Sequence, residues 1–145
     1  MAYIAINYAN NPNAPVDTWV CAPGSALGPF DDVPETKHTK GNDYCGQCVS
    51  YVKQVCPGLP ATTSWKQGAQ VKGNDKILVG TVIATFNASG KYEGHAAIYV
   101  SQGPAGVYVY DQYVAPPNPK PVGPRTLRLG APLDVNNGEK FYVVE

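Results

Sequence analysis

The sequence predicts an α+β fold in which a helix that carries a cysteine packs on an antiparallel β-sheet that carries a histidine. A helix-like pattern lies between Gly46 and Cys56, and β-branched, apolar runs follow Gly73. The connections between these runs are too short for the crossovers that parallel strands require. A helix followed by an antiparallel sheet is typical of α+β proteins. At 145 residues the chain has the length of one domain, so residues 1–145 are expected to form it.

The first 40 residues are rich in the asparagine, glycine and proline combinations that mark turns. Two stretches, residues 3–8 and 17–21, have enough apolar side chains for a short element. These residues are therefore expected to form a turn-rich N-terminal segment that precedes the helix and the sheet.

The helix is predicted from apolar side chains that recur at steps of three or four residues. These positions are Cys48, Val49, Val52, Val55 and Cys56. Asp43 is available as an N-terminal cap, and Pro57 followed by Gly58 ends the pattern. A second, shorter helical or irregular piece is expected at residues 63–70.

Strands are predicted where β-branched and aromatic residues dominate. They cover residues 77–86, 96–101, 107–113, 126–129 and 140–144. The first three of these strands are expected to form an antiparallel meander, with a turn at residues 87–92. Residues 114–125 are rich in proline and are expected to form an extended loop.

The charge pattern argues against several classes of protein. Eleven basic and eleven acidic residues give a net charge of zero, and neither sign forms a run. A nucleic-acid binder or a membrane-surface helix needs a basic face, which is missing.

No apolar run approaches the roughly 18 residues of a membrane span. The N-terminus lacks the basic start and apolar core of a secretory signal, so the chain is expected to be made in the cytoplasm without a classical export signal.

Four cysteines are too few for a disulfide scaffold but enough for one bridge and a free thiol. In an oxidising compartment, a bridge from Cys21 to Cys45 or to Cys56 is expected. The spacing does not choose between these two partners.

Cys48 is the predicted nucleophile because it lies where a glycine-containing loop meets the first turn of the helix. The positive end of the helix favours the thiolate and lowers its pKa. His95 opens a strand-like run and is the predicted base, since the other histidine, His38, lies in a polar loop. Asp111, which ends the next apolar alternation, is predicted to orient the imidazole, with Gln112 as the alternative. A cysteine amidase or peptidase needs this set of groups.

Other interpretations of the cysteines remain open at this stage. Cys48 can be a buried structural cysteine, and Cys45 can be the nucleophile instead. Cys45 and Cys48 also have the spacing of a redox dithiol, although the turn-rich first 40 residues do not supply the βαβ context of thioredoxin-like folds. Together with Cys56 and a histidine they can bind zinc, although a second closely spaced pair of ligands is missing.

Four motifs, in the order cysteine, strand, histidine and strand, resemble a known superfamily. They are GQCV at 46–49, GTVIATF at 80–86, GHAAIYV at 94–100 and VYVYDQY at 107–113. This arrangement is similar to the NlpC/CHAP superfamily of papain-like cysteine amidases. The segment TSWKQG at 63–68 also resembles its compact bacterial members, the type VI secretion amidase effectors.

The resemblance implies Cys48 as nucleophile, His95 as base and Asp111 as the third catalytic residue. It calls for no cofactor and no metal. The residues then expected to contact the substrate are Tyr44, Gln47, Trp65 and Gln112. For Trp65, a place in the core or at its rim is favoured over contact with the substrate.

The resemblance also implies a biological role. Such effectors are antibacterial toxins that hydrolyse peptide bonds of bacterial peptidoglycan in the periplasm of a target cell, and they need no signal peptide. The bond between diaminopimelate and D-alanine in the crosslink is favoured over the bond between D-glutamate and diaminopimelate. A cognate immunity protein is the implied partner. The competing interpretation is a non-catalytic module that binds peptidoglycan or another protein.

Overall fold

The computed structural model describes residues 1–31, 45–115 and 118–145, and within these ranges one α-helix packs against an antiparallel sheet. The helix, α1, spans Cys48–Val55. The strands are β1 (Trp19–Val20), β2 (Phe30–Asp31), β3 (Gln67–Gln70), β4 (Val82–Phe86), β5 (Tyr92–Gly103), β6 (Gly106–Tyr113), β7 (Lys120–Arg128) and β8 (Phe141–Val144). Strands β1 and β2 form a small ribbon, and the other six form a sheet in the order β3-β8-β4-β5-β6-β7.

The predicted α+β class and the antiparallel meander are confirmed. Strands β4, β5 and β6 are neighbours in the sheet and run antiparallel to one another. The strand boundaries differ from the prediction: β4 begins at Val82 instead of residue 77, and β5 begins at Tyr92 instead of residue 96. As a consequence, His95 lies inside β5 and has paired backbone on both sides of it.

The proline-rich segment is where the prediction is wrong. Its second half belongs to the sheet, because Lys120–Arg128 form β7 and pair with β6. Strand β7 is an edge strand, and an edge tolerates prolines such as Pro121 and Pro124, whose missing N–H groups need no partner strand there.

The segment at residues 63–70, which was expected to be helical or irregular, also differs from the prediction. A single 3-10 turn at Thr62–Ser64 is followed by β3, which pairs with β8. The helix α1 is shorter than predicted and begins after Gln47, whose side chain makes no capping hydrogen bond. The predicted cap, Asp43, lies outside the described residues.

The sheet is buried on both faces. Alternation along β5 sends Ala96 and Ile98 towards α1, where they pack with Tyr51 and Val52 in one hydrophobic cluster. The intervening Ala97 and Tyr99 belong to a second cluster on the other face, together with side chains of β4, β6, β7 and β8. Within the described ranges, no helix combines the length and the apolar character needed to cross a membrane.

Candidate active site

Cys48 is the first residue of α1 and its thiol is free and half-buried. The chain reaches it through Gly46, which has a φ of 93°, and through the extended backbone of Gln47. The left-handed conformation at Gly46 costs least for glycine. The loop thus turns sharply into the helix and presents the sulfur at the helix N-terminus, as predicted.

Two sets of contacts fix this loop. A disulfide joins Cys21 to Cys45, three residues before the nucleophile candidate. The Gly46 N–H donates to the Val20 carbonyl at 2.9 Å. The side chain of Gln112 accepts from the Val20 N–H at 2.8 Å and donates to the carbonyls of Val20 and Gln47 at 2.8 and 2.9 Å. The start of α1 is therefore attached to both β1 and β6.

His95 faces the thiol from β5 and is 5% exposed. Its backbone N–H donates to Thr85 Oγ1 at 3.0 Å. The preceding Gly94 has a φ of 109°, and a Cβ there would collide with the same Thr85 hydroxyl, so glycine is required. The imidazole is held edge-on between the rings of Tyr113 and Phe141, with centroids 6.0 and 6.2 Å away.

Asp111 lies on β6 beside His95 and is fully buried. Its Oδ2 is 2.7 Å from His95 Nε2 and accepts from Arg125 Nε at 2.9 Å. The Lys120 Nζ lies 3.3 Å from Oδ1 and donates to the Asp111 carbonyl at 2.8 Å. Burial raises the carboxyl pKa, but the hydrogen bond and charge of His95 and the charges of Arg125 and Lys120 outweigh it, so the pKa of Asp111 is lowered.

The thiol and the imidazole stabilise each other's charged forms. Because Nε2 is held by Asp111, Nδ1 is the ring nitrogen available to the thiol. Burial opposes both charges, yet the hydrogen bonds of His95 to Asp111 and Cys48 raise the pKa of the imidazole to about 9. For Cys48, burial is likewise outweighed by His95, by a hydrogen bond from Tyr92 and by one from the Ala96 backbone, so the thiol pKa is lowered. A thiolate–imidazolium pair is the form that attacks amide carbonyls.

An open cavity of about 370 Å³ gives access to this pair. Cys48, His95 and Gln47 line the cavity, and so do the apolar side chains of Leu133 and Val135. Arg125 also lines the cavity, where its guanidinium lies over the Tyr113 ring at 4.9 Å. The sulfur can therefore be approached by a ligand.

The structure places the residues expected to contact a substrate in different environments. Gln47 lines the cavity, and Tyr44 lies outside the described residues, as does His38. Trp65 has the core position that was favoured for it, whereas the substrate contact expected of Gln112 is wrong. Trp65 is 2% exposed, and its Nε1 donates to the Pro60 carbonyl at 2.9 Å. Gln112 is fully buried because its amide group is occupied by the backbone of β1 and the α1 loop.

The disulfide decides three of the alternatives that the sequence left open. Cys45 is bonded to Cys21, so it is neither a nucleophile nor the partner of Cys48 in a redox dithiol. A zinc site that needs Cys45 as a ligand is excluded for the same reason. The bridge also resolves which partner Cys21 takes.

Tyr92, Arg125 and Lys120 are residues of the site that the sequence analysis missed. Tyr92 Oη lies 3.5 Å from Cys48 Sγ. In a regular strand, residues three apart point to opposite faces. The sequence pattern therefore gave no reason to place Tyr92 on the same side as His95. The pairing of β5 with β4 is irregular between these residues, and such a bulge redirects side chains. Arg125 and Lys120 were not identified because residues 114–125 were expected to form a loop and not a strand beside β6.

Comparison with known proteins identifies the family. A sequence profile described as domesticated amidase effector 2 matches residues 30–144. The chain belongs to the domesticated amidase effector 2 family. This confirms the resemblance stated from the motifs, and it places the chain among amidases, which are hydrolases.

Individual relatives support the same assignment. A domesticated amidase effector 2 of Ixodes scapularis is 43% identical over 104 residues, which cover 68% of this chain and 70% of that protein. A type VI secretion amidase effector 2 protein of Salmonella typhi is 36% identical over 114 residues, 68% of this chain and 84% of that protein. The solved structure of a type 6 secretion amidase effector 2 superposes with a TM-score of 0.58 at 33% identity, covering 77% of this chain and 87% of that one. The fold is therefore the papain-like α+β arrangement that was predicted.

Proposed function

We propose that this protein hydrolyses an amide bond of bacterial peptidoglycan with Cys48 as nucleophile, His95 as general acid and base, and Asp111 as the group that orients the imidazole. The observation that carries the proposal is one cavity lined by both Cys48 and His95, whose imidazole is hydrogen-bonded to the buried Asp111 carboxylate. The family's amidase activity is the reaction that such a set of groups performs.

The first step is acylation. The Cys48 thiolate attacks the carbonyl carbon, the new C–S bond forms, and the π electron pair of the carbonyl moves to its oxygen. The backbone N–H groups at the start of α1, that of Cys48 included, stabilise this oxyanion together with the positive end of the helix. When the oxyanion collapses, the C–N bond breaks and the leaving amine takes the proton from His95 Nδ1.

The second step is deacylation. Neutral His95 removes a proton from a water molecule, which attacks the thioester carbon. Collapse of the second tetrahedral intermediate breaks the C–S bond and releases the carboxylic acid. His95 is protonated again, and the thiolate–imidazolium pair is restored. Throughout, Asp111 keeps Nε2 protonated and Nδ1 directed at the sulfur.

Among the bonds of peptidoglycan, we propose the crosslink between diaminopimelate and D-alanine. A crosslink carries a peptide chain on each side of the scissile amide, and it needs room on both sides of the sulfur. A second cavity of about 510 Å³ adjoins the first, and Gly94 and Val135 line both. The two cavities share lining residues, and a crosslink, which joins two stem peptides, is the branched substrate that can use both.

The biological role that we propose is that of an antibacterial effector acting on the cell wall of a target bacterium. The support is that relatives and a solved structure carry the name of type VI secretion amidase effectors. In this role the protein is made in the cytoplasm of the producing cell and acts in the periplasm of the target. A cognate immunity protein that covers the cavity would protect the producer.

Isolated sacculi with a crosslinked diaminopimelate-type peptidoglycan test the enzymatic part of the proposal. The wild-type protein is expected to convert crosslinked dimers to monomers whose masses place the cut between diaminopimelate and D-alanine. Cys48→Ala should abolish the conversion, whereas Cys56→Ala, at the buried free thiol, should retain it. Unchanged muropeptides from sacculi that still bind the wild-type protein would identify a binding module instead. Fragments cut within the stem would overturn the crosslink assignment.

A further inference from the structure

The hydroxyl of Tyr92 makes two contacts at the nucleophile. It lies 3.5 Å from Cys48 Sγ, and it donates to the Gly94 carbonyl at 3.3 Å. A phenol has one proton to donate. While Cys48 is a thiol, its S–H can donate to the phenol oxygen. Once Cys48 is a thiolate, the contact is favourable only if Tyr92 donates to the sulfur.

Tyr92 is held as a donor by its surroundings. Burial, followed by the negative charge of the Cys48 thiolate, raises the pKa of the phenol far above its ordinary value. The hydroxyl therefore keeps its proton over the pH range in which the thiolate is present. A neutral phenol that directs its proton at the thiolate stabilises the charge through a hydrogen bond.

The ring of Tyr92 is fixed by the buried Trp65. The rings of Trp65 and Tyr92 meet edge-to-face with centroids 4.8 Å apart. Trp65 is buried and is itself anchored through its Nε1 to the Pro60 carbonyl. Rigid support of this kind keeps the phenol in place without reorganisation during the reaction.

We propose that Tyr92 is a further catalytic residue, which donates its phenolic hydrogen bond first to the Cys48 thiolate and then to the oxyanion of the tetrahedral intermediate. The proposal rests on Cys48 being the nucleophile. The oxyanion is bonded to the carbon that the sulfur attacks, so it forms within reach of a hydroxyl that already contacts the sulfur. As the carbonyl electron pair moves onto oxygen, negative charge leaves the sulfur and the hydrogen bond follows it.

The role of Trp65 follows from the same geometry. Its ring contacts that of Tyr92, so we assign it as a positioning residue. Its effect on catalysis is expected to pass through the phenol.

Tyr92→Phe tests the proposal, with Tyr108→Phe as the matched control. Tyr108 is a half-buried tyrosine of β6 that lines a separate shallow cavity without Cys48. The pH dependence of Cys48 alkylation by iodoacetamide is measured without substrate, and peptide mass spectrometry separates Cys48 from Cys56. In Tyr92→Phe the midpoint of alkylation should rise by about one pH unit, a tenfold loss of thiol acidity. In Tyr108→Phe it should stay at the wild-type value.

Turnover of crosslinked muropeptides supplies the second readout. Tyr92→Phe should lower kcat by roughly ten- to a hundredfold with little change in KM, because the lost hydrogen bond acts mainly in the transition state. Identical midpoints and identical kcat in Tyr92→Phe and Tyr108→Phe would overturn the proposal. Trp65→Phe, a second variant that leaves the phenol in place, should raise the alkylation midpoint by a smaller amount. An unchanged midpoint in that variant contradicts the positioning role.

The alkylation experiment also separates this proposal from the proposed function. It needs no peptidoglycan, so a wrong substrate assignment leaves its outcome unaffected. Should Cys48 react no faster than the buried Cys56 in the wild-type protein, Cys48 is not an activated nucleophile, and the proposed function fails together with the role of Tyr92.

Discussion

Asp111 is the residue at which the charges of the site converge. Its buried carboxylate contacts the imidazole of His95, the guanidinium of Arg125 and the ammonium of Lys120. A buried carboxylate is costly unless such partners replace its hydration. With two cations besides the imidazole, Asp111 remains ionised and holds His95 in one orientation. The reactivity of the thiol therefore depends on charges supplied by a neighbouring strand.

The first prediction concerns the pH dependence of hydrolysis. His95 must carry a proton to release the leaving amine, and its pKa is raised to about 9. The value of kcat/KM should therefore fall as the pH rises through about 9, where the imidazolium loses its proton. Asp111→Asn removes the charge that favours the imidazolium, so this basic limb should move to lower pH by about one unit or more, and kcat should fall.

A steady-state pH series on crosslinked muropeptides measures both effects. Asp75→Asn, at an exposed carboxylate in the turn before β4, is the matched control and should keep the wild-type limb. A wild-type limb near the ordinary histidine pKa of about 6.5 would contradict the interpretation of the site.

At the scale of elements, local sequence patterns predicted what is local. The helix that carries Cys48 and the meander of β4, β5 and β6 follow from periodicity and short connections. The order of these elements led to Cys48, His95 and Asp111, of which the first two line one cavity and the last two are hydrogen-bonded. The first part of β7, residues 120–125, was missed because its prolines argue against a strand, and only its position at the sheet edge, a non-local property, makes them compatible.

The same limit explains the errors at single positions. Whether Trp65 lies in a groove or in the core depends on β3 and β8, which pair across about half of the chain length. The burial of Gln112 depends on β1 meeting β6. The contact between Tyr92 and Cys48 depends on the irregularity of β5 at Gly94. None of these is encoded in the spacing of neighbouring residues.

The second prediction concerns the disulfide that anchors the α1 loop. Cys21 and Cys45 are 24 residues apart, and closing a loop of this length is worth about 3 to 4 kcal/mol in the chain-entropy description. The double variant Cys21→Ala/Cys45→Ala should lose a comparable amount of unfolding free energy, measured by urea denaturation. Because the bridge ends three residues before Cys48, kcat should fall as well.

Reduction provides the control for this second prediction. Dithiothreitol should lower the stability and the kcat of the wild-type protein but leave the double variant unchanged. A reduced wild-type protein that retains full stability and turnover would show that the hydrogen bonds of Gln112 and Gly46 hold the loop without the bridge.

At the scale of the whole molecule, the site lies where the layers of the fold meet. The sheet is covered by α1 on one face and by a second hydrophobic cluster on the other. Cys48 comes from the helix layer, whereas His95, Asp111 and the cations come from β5, β6 and β7. The ion pairs of Asp111 cross three adjacent strands, so they contribute to the stability of the sheet as well as to the orientation of His95.

The third prediction therefore concerns stability in acid. The pKa of Asp111 is lowered in the folded state, so its contribution to stability is fully present above its unfolded pKa of about 3.9 and is lost as the pH falls through the lowered value. His95 is protonated in both the folded and the unfolded state below about pH 5, so it does not make the stability depend on pH there.

At neutral pH, Asp111→Asn should be less stable than the wild type by about 3 to 5 kcal/mol, because it leaves buried cations unpaired. Urea denaturation between pH 2 and pH 6 should show this difference shrinking below pH 4, whereas Asp75→Asn should follow the wild-type curve. Parallel curves for Asp111→Asn and the wild type would mean that the carboxylate adds nothing to folding that depends on its charge.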